Sequence, residues 1–246
     1  MNLTRILAES SASWKSFLRK RTAVFFTFLF PIILVSIFSF LVGTQTSGLF
    51  SEDPAYYVAS YISIVILFTP LSRMSMTVAR GRDGSLFKKL STTPLTKTEW
   101  LLAHTITIFK ICLFSTLLVL IIASILTDFT FTIPLTLILF IFLGSFLFCN
   151  VGVILGSITK SQDGAITASN SLALPLLFLS DTFIPLNYFP TWFVPLISFS
   201  PLTPFSRATR DIFISSTFPI DGFILLVLLN ILVFTISSYL LPFHSD

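Results

Sequence analysis

Long apolar runs separated by short polar connections dominate the chain. Because a bilayer-spanning helix needs about 20 mostly apolar residues, this pattern predicts six transmembrane helices. They cover residues 22–42, 56–78, 103–127, 133–157, 164–182 and 221–241. Pro31, Pro70 and Pro175 lie inside three of these runs, and packed membrane helices tolerate such prolines when neighbours satisfy the freed backbone groups. The predicted fold class is an all-α integral membrane protein, with one transmembrane domain over residues 1–246.

The N-terminal residues 1–21 show a helical pattern of a different kind. Apolar side chains recur near helical spacing, beside basic ones, from Leu3 through Trp14 to Leu18. This predicts an amphipathic interface helix lying on the inner membrane face, with a disordered basic tail as the alternative. The polar lead is too long for a cleavable signal peptide, and no small-residue cleavage site follows the first apolar run.

Residues 183–206 are apolar but rich in proline. Their five prolines are Pro185, Pro190, Pro195, Pro201 and Pro204. A proline about every five residues removes too many hydrogen bonds for a regular spanning helix. We therefore expect short broken helices that form a re-entrant segment in the outer leaflet, with a seventh span as the alternative.

The composition supports a lipid environment. Only 11% of the 246 residues are charged and 54% are hydrophobic, whereas soluble domains carry about 25% charge. The net charge of +4 therefore bears on membrane orientation. We expect a lipid bilayer as a partner and no nucleic acid.

The basic residues divide unequally between the two sides of the predicted bundle. Only Arg207 and Arg210 fall on one side. The other side holds Arg5, Lys15, Arg19, Lys20, Arg21, Arg73, Arg80, Arg82, Lys88, Lys89, Lys97, Lys110 and Lys160. The positive-inside rule then places both termini in the cytoplasm.

The sequence shows no pattern typical of an active site. It contains no phosphate-binding GxxxxGK[ST] loop, no GxSxG and no HExxH. Cys112 and Cys149 stand in apolar runs without metal-ligand spacing. No ionisable residue falls near the middle of a predicted span, which disfavours an ion-coupled carrier. We therefore predict no catalytic, cofactor-binding or metal site and expect any driving energy to come from another chain.

Two short motifs have a structural meaning. Gly152 and Gly156 form a GxxxG pair that allows close helix approach. In the predicted cytoplasmic loop 79–102, "SLFKKL" places Leu86, Phe87 and Leu90 on one face of a short helix and two lysines on the other. Such a helix fits a groove on a cytoplasmic partner or the lipid headgroups, and the pattern alone leaves both open.

Two segments resemble the ABC-2 type transporter permeases. "GSLFKKLSTTPLTKTEWLLAH" is similar to the segment after the second span of that family. "LPLLFLSDTFIPLNYFPTWFVPLISFSPLTPFSRATRDI", residues 174–212, keeps the order and spacing of five further features. The chain departs from the family at Asp181, where glycine is frequent, and before Gly84, where only Asp83 can replace the usual glutamate.

The resemblance implies the membrane subunit of an exporter in the plasma membrane, moving an amphiphilic or hydrophobic substrate. A separate subunit would bind ATP and magnesium and would contact the N-terminal helix and a coupling loop. The implied coupling residues are Asp83, Gly84, Leu86, Phe87, Lys88, Leu90 and Pro94. The implied outer re-entrant residues are Phe183, Pro185, Pro190, Trp192, Pro201 and Arg210.

The family also works as dimers or paired half-permeases, usually through the first and fifth spans, which here contain Pro31 and Pro175. Three other classes of protein stay open from the residues alone. They are a membrane scaffold without transport, an ATP-independent carrier or channel, and an intramembrane enzyme.

Overall fold

The computed structural model is all-helical over the residues that it describes. These are residues 2–44, 54–83, 96–126, 134–182, 189–214 and 217–240. The helices are α1 (Leu3–Arg19), α2 (Arg21–Thr44), α3 (Pro54–Asp83), α4 (Lys97–Leu126), α5 (Leu135–Ile158), α6 (Gln162–Phe178), α7 (Val194–Phe199), α8 (Leu202–Ile214) and α9 (Ile220–Leu240).

A helix lies at each of the six predicted spans, but only some of them have the length and composition to cross a membrane. Within the described residues, four do so: Pro54–Arg82, Thr98–Leu126, Leu135–Ile158 and Ile220–Leu240. A fifth candidate is the pair Leu3–Arg19 and Val24–Ile37, which is bent by 89°. The protein is therefore a helical membrane protein with four or five candidate spans.

The fifth predicted span, 164–182, is a shorter helix. α6 has 17 residues, about 25 Å at 1.5 Å per residue, against a hydrocarbon core about 30 Å thick. It ends at Phe178, and the Ser180 hydroxyl donates to the Leu177 carbonyl at 2.6 Å just beyond that end. Continuous helices run through Pro31, Pro70 and Pro175.

α3 is the centre of the bundle. It packs against α5, α6, α4, α8 and α2, and its 30 residues measure about 45 Å. The predicted GxxxG pair lies on α5, where α5 packs against α3. A Cβ on Gly152 would stand 2.7 Å from the Leu71 carbonyl oxygen, and a Cβ on Gly156 would stand 2.5 Å from the Ser75 carbonyl oxygen. The prediction of close helix approach is confirmed, with α3 as the partner.

Polar side chains form hydrogen bonds between α9 and α5. The Ser237 hydroxyl donates to Asn150 Oδ1 at 2.6 Å, and Asn230 Nδ2 donates to the Leu143 carbonyl at 3.2 Å. Hydrogen bonds between neighbouring membrane helices stabilise their contact. These bonds join α5 to α9, whose outer face remains apolar and exposed.

The predicted loop 79–102 is shorter than expected. α3 continues to Asp83 and α4 begins at Lys97, so the connection is confined to residues 84–96. The predicted short helix around "SLFKKL" falls on residues outside those that the structure describes.

Candidate functional site

Features of functional interest occur at both ends of α3 and in a cavity beside its middle. We call the first the Asp181 network: Tyr56, Asp181, Ser206, Arg207 and Arg210. We call the second the basic end: α1, the C-terminal part of α3 and the N-terminal part of α4. Tyr56 and Arg80 are separated by about 36 Å along α3, so the two lie at opposite ends of the helix.

Asp181 is the centre of the Asp181 network. Its side chain is 1% exposed, and its Oδ2 accepts from Arg207 Nε at 3.0 Å and lies 3.5 Å from Arg210 Nη1. Its Oδ1 accepts from the Ser206 hydroxyl at 3.2 Å. A buried carboxylate is stable only when cations and hydrogen bonds compensate its lost hydration, and here two arginines of α8 do so.

The backbone of Asp181 ties the same network to α3. Its carbonyl oxygen accepts from the Tyr56 hydroxyl at 2.7 Å and from Arg210 Nη2 at 2.8 Å. The Arg210 guanidinium also lies over the Tyr56 ring, with Cζ 3.9 Å from the centroid. One step along the chain, the Thr182 carbonyl accepts from the Ser60 hydroxyl. These contacts therefore join the start of α3, the end of α6 and α8.

Proline-containing turns precede α8 along the chain. The backbone N–H of Phe193 donates to the Pro190 carbonyl at 2.9 Å, Trp192 is 71% exposed, and Pro201 directly precedes α8. Over the described residues 189–206, the chain forms the short helix α7 and the start of α8 in place of one long helix. Arg210 joins the Asp181 network, while Phe183 and Pro185 lie outside the described residues.

At the basic end, α1 is attached to α4 by hydrogen bonds. The carboxylate of Glu99 accepts from the backbone N–H of Asn2 at 2.7 Å and from that of Thr96 at 3.1 Å. Further along, Ser10 and Thr107 share a 3.2 Å hydroxyl contact. The Ser13 hydroxyl lies 3.2 Å from His104 Nε2.

The residues predicted for coupling are mostly outside the described part of the chain. Asp83 is the last residue of α3. The others named above, Gly84, Leu86, Phe87, Lys88, Leu90 and Pro94, belong to the connection between α3 and α4, of which the structure describes only Thr96. Of the two helices that flank this connection, α4 is hydrogen-bonded to α1.

A cavity of about 440 Å³ opens between α2, α3 and α6. Most of its lining is apolar, including Phe26, Pro31, Phe68 and Ile166, and Arg73 is the charged residue in the lining. This volume is typical of small-molecule sites, which measure about 300–1,000 Å³. We call it the apolar cavity.

The sequence matches a known protein family over most of its length. Residues 4–214 match the ABC-2 type transporter family, a region that runs from the start of α1 to the end of α8. The chain belongs to the ABC-2 type transporter family. No curated protein sequence matches the chain.

Family membership makes this chain the membrane subunit of an ABC-2 type transporter, a domain that is typically non-catalytic and implies an ATPase partner. The matched region of the transporter subunit includes the α3–α4 connection, the apolar cavity and the Asp181 network. The expected multi-pass membrane protein is thereby confirmed.

Sequence reasoning missed the pairing of Asp181 with Arg207 and Arg210. One signal was present: Asp181 is the single acidic residue between Asp163 and Asp211. An isolated acid in an apolar stretch requires a cationic partner. The two arginines also stand three residues apart, on one face of a helix.

Proposed function

We propose that this chain is the membrane-spanning permease of an ATP-binding cassette exporter that moves an amphiphilic or hydrophobic substrate across the plasma membrane. The apolar cavity is the observation that carries the proposal. It opens between α2, α3 and α6, and its longest wall, α3, leads directly into the connection that would receive the motion of an ATPase.

The lining of the apolar cavity supports this class of substrate. Aromatic and aliphatic side chains provide most of its surface, and Thr27, Ser72 and Arg73 add polar groups. Burial of apolar ligand surface would provide most of the affinity, and the polar groups would orient the ligand. A drug-like compound, a lipid and a lipid-linked glycan all match this description.

Energy would enter through the connection between α3 and α4. We propose that its residues from Asp83 through Leu86, Phe87 and Leu90 to Pro94 contact a cytoplasmic ATPase subunit, together with α1. That subunit would bind ATP and magnesium. Because α1 is hydrogen-bonded to the first turns of α4, a displacement of either element would reach the other.

The proposed topology has six spans and cytoplasmic termini. α6 and the residues to 182 would form the fifth span, with the prolines of residues 183–206 in an outer re-entrant segment. The basic end would face the cytoplasm, as the positive-inside rule requires. The 89° angle between α1 and α2 supports an α1 that lies in the membrane plane while α2 crosses it.

Pairing of two permeases through α2 and α6 completes the proposal. Exposed apolar side chains on these helices support it, including Phe25, Phe26 and Ile37 on α2 and Leu174 and Phe178 on α6. Either a second copy of this chain or a related half-permease would supply the opposite wall of the pathway.

The experiment that tests the proposal is co-purification from native cells in mild detergent, with ATPase activity measured on the captured material. We expect a nucleotide-binding subunit to copurify. The double variant Leu86→Asp and Leu90→Asp should lose it, because two charges would replace the apolar contacts of the loop. The matched control, Lys88→Gln and Lys89→Gln, changes two neighbouring residues and should retain most of the ATPase.

Two outcomes would contradict the proposal. A protein that purifies without ATPase activity would favour an ATP-independent carrier or a scaffold. Capture of a partner that lacks ATPase activity would favour the scaffold.

A further inference from the structure

A second cavity, at the basic end, has a different composition from the apolar cavity. It measures about 290 Å³ and lies between α1, α3 and α4. Each helix contributes four residues at positions i, i+3, i+4 and i+7, beginning at Ser13, Arg73 and His104. This spacing places each set on one helix face, so three faces converge on one space. We call it the basic cavity.

Three cations line the basic cavity: Lys20, Arg73 and Arg80. Among the described residues that line it there is no carboxylate, and no described acidic side chain lies within ion-pair distance of these three. Partial burial lowers the pKa of the Lys20 ammonium, and repulsion by Arg80 and Arg73 lowers that pKa further. No carboxylate of the described residues therefore compensates the charge of this cluster.

Arg73 is already held in position at the inner end of this cavity. Its Nη2 donates to the Thr27 hydroxyl at 2.7 Å, and its Cζ lies 4.2 Å from the centroid of the Phe17 ring. A guanidinium has five N–H donors, and the described residues accept a hydrogen bond from one of them. A fixed, partly used guanidinium is well suited to bind an oxyanion, because little side-chain entropy is lost.

The two other cations stand at the mouth of the cavity. Lys20 and Arg80 are exposed, and the Lys20 ammonium has no hydrogen-bond partner among the described residues. Lys20 directly precedes the first residue of α2, Arg21. The mouth is thus at the level where an apolar helix begins, next to α1 with its exposed Leu3, Leu7 and Leu18. This is the level of the lipid headgroups.

We propose that the basic cavity binds the phosphate group of an anionic membrane lipid. Arg73 would contact the phosphate from inside, with Lys20 and Arg80 at the mouth. Ser16 supplies a hydroxyl group in the same lining, whereas the Thr77 hydroxyl already donates to the Arg73 carbonyl. A bound phosphate would join α1 to α3, two helices that otherwise have little direct contact. The inference requires only that the chain is a membrane protein and is independent of ATPase coupling, although Arg73 also lines the apolar cavity.

The test is calorimetric titration of the purified full chain, in detergent, with three probes. They are dioctanoyl phosphatidic acid, dioctanoyl phosphatidylcholine and inorganic phosphate. We expect saturable binding of phosphatidic acid. Phosphatidylcholine should bind at least about tenfold more weakly than phosphatidic acid, because its choline cation would be repelled by three like charges.

Matched variants locate the site. The double variant Lys20→Gln and Arg80→Gln should weaken binding of phosphatidic acid about tenfold or more, since two charge-assisted contacts are lost. The control, Lys15→Gln and Arg19→Gln, removes the same charge from exposed positions of α1 outside the cavity. It should change the Kd by about twofold or less, as expected for solvent-exposed, screened charges. The single variant Lys20→Gln replaces the double variant if the latter does not elute as one folded species.

Three results would overturn the proposal. An equal loss in the control pair would show a general attraction between basic protein and acidic lipid. Equal binding of phosphatidylcholine would exclude selection by charge. Inorganic phosphate that binds as tightly as phosphatidic acid would make a soluble anion the ligand in place of a lipid headgroup.

Discussion

The two ends of α3 carry arginines in opposite electrostatic situations. In the Asp181 network, Arg207 and Arg210 share the buried carboxylate of Asp181, and Arg210 also donates to the Asp181 carbonyl. At the basic end, Arg73 and Arg80 face a cavity together with Lys20, and none of the described residues supplies a carboxylate there. The same side-chain chemistry therefore has an internal carboxylate partner at one end and, among the described residues, no carboxylate at the other.

This difference separates a structural role from a binding role. A compensated charge cluster holds helices together. Removing one partner leaves the other charge buried without compensation, at its full desolvation cost. An uncompensated cluster is under repulsion and becomes stable when an external anion binds. Removing a single charge should therefore lower the free energy of unfolding at the Asp181 network, and should leave it almost unchanged or raise it slightly at the basic cavity.

The largest effect is expected at the Asp181 network. Asp181→Asn removes the charge that neutralises Arg207 and Arg210, and should lower the free energy of unfolding by about 3 kcal/mol, as for other broken buried pairs. Denaturant titration in micelles measures it. Asp221→Asn is the matched control because Asp221 is exposed, and its loss should cost about 0.5 kcal/mol through the helix dipole. Equal losses in the two variants would show that the Asp181 network contributes nothing special.

The next effect concerns the segment of α3 that connects the two ends. Gly156→Ala adds a methyl group where a Cβ would stand 2.5 Å from the Ser75 carbonyl oxygen and 2.8 Å from Val78 Cβ. α3 and α5 must separate, which should cost about 1–3 kcal/mol. The same titration measures the loss, with Ile158→Ala on the exposed end of α5 as control. Unchanged stability would mean that the two helices are loosely packed.

The sequence was sufficient for features that depend on neighbouring residues. Apolar run length located the helices, and the spacing of Gly152 and Gly156 predicted close approach. Hydropathy placed the end of the fifth run at residue 182, because Phe178 and Leu179 are apolar. The helix ends earlier because the Ser180 hydroxyl binds the Leu177 carbonyl, a local competition that a hydropathy window does not register.

Contacts between distant segments were beyond the sequence. Asp181 and its arginines are 26 and 29 residues apart across a proline-rich stretch, whose irregular backbone has no periodicity to predict its path. The three helix faces of the basic cavity are each visible as i, i+3, i+4, i+7 sets. Their convergence depends on the sharp turn between α1 and α2, which no pattern in the sequence specifies.

A smaller effect is expected where α1 meets α4. Glu99→Gln keeps one acceptor oxygen, so one of the two backbone N–H groups of Asn2 and Thr96 loses its partner. The free energy of unfolding should therefore fall. Glu9→Gln on α1 is the control, since no described residue hydrogen-bonds to the Glu9 side chain. Glu9 is also partly buried, and this burial raises the pKa of its carboxyl. Hydrogen exchange of α1 amides would report the same weakening locally, and unchanged protection would contradict it.

The smallest effect is expected at the basic cavity, and its sign completes the comparison. Lys20→Gln removes one of three mutually repelling cations and breaks no hydrogen bond among the described residues. In detergent without anionic lipid, the free energy of unfolding should stay within about 0.5 kcal/mol of the original or rise slightly. With dioctanoyl phosphatidic acid present, the original protein should gain more stability than the variant, because a ligand stabilises only the state that binds it. A loss of about 2 kcal/mol without lipid would instead place Lys20 in an internal ion pair, and the basic cavity would then resemble the Asp181 network at the other end of α3.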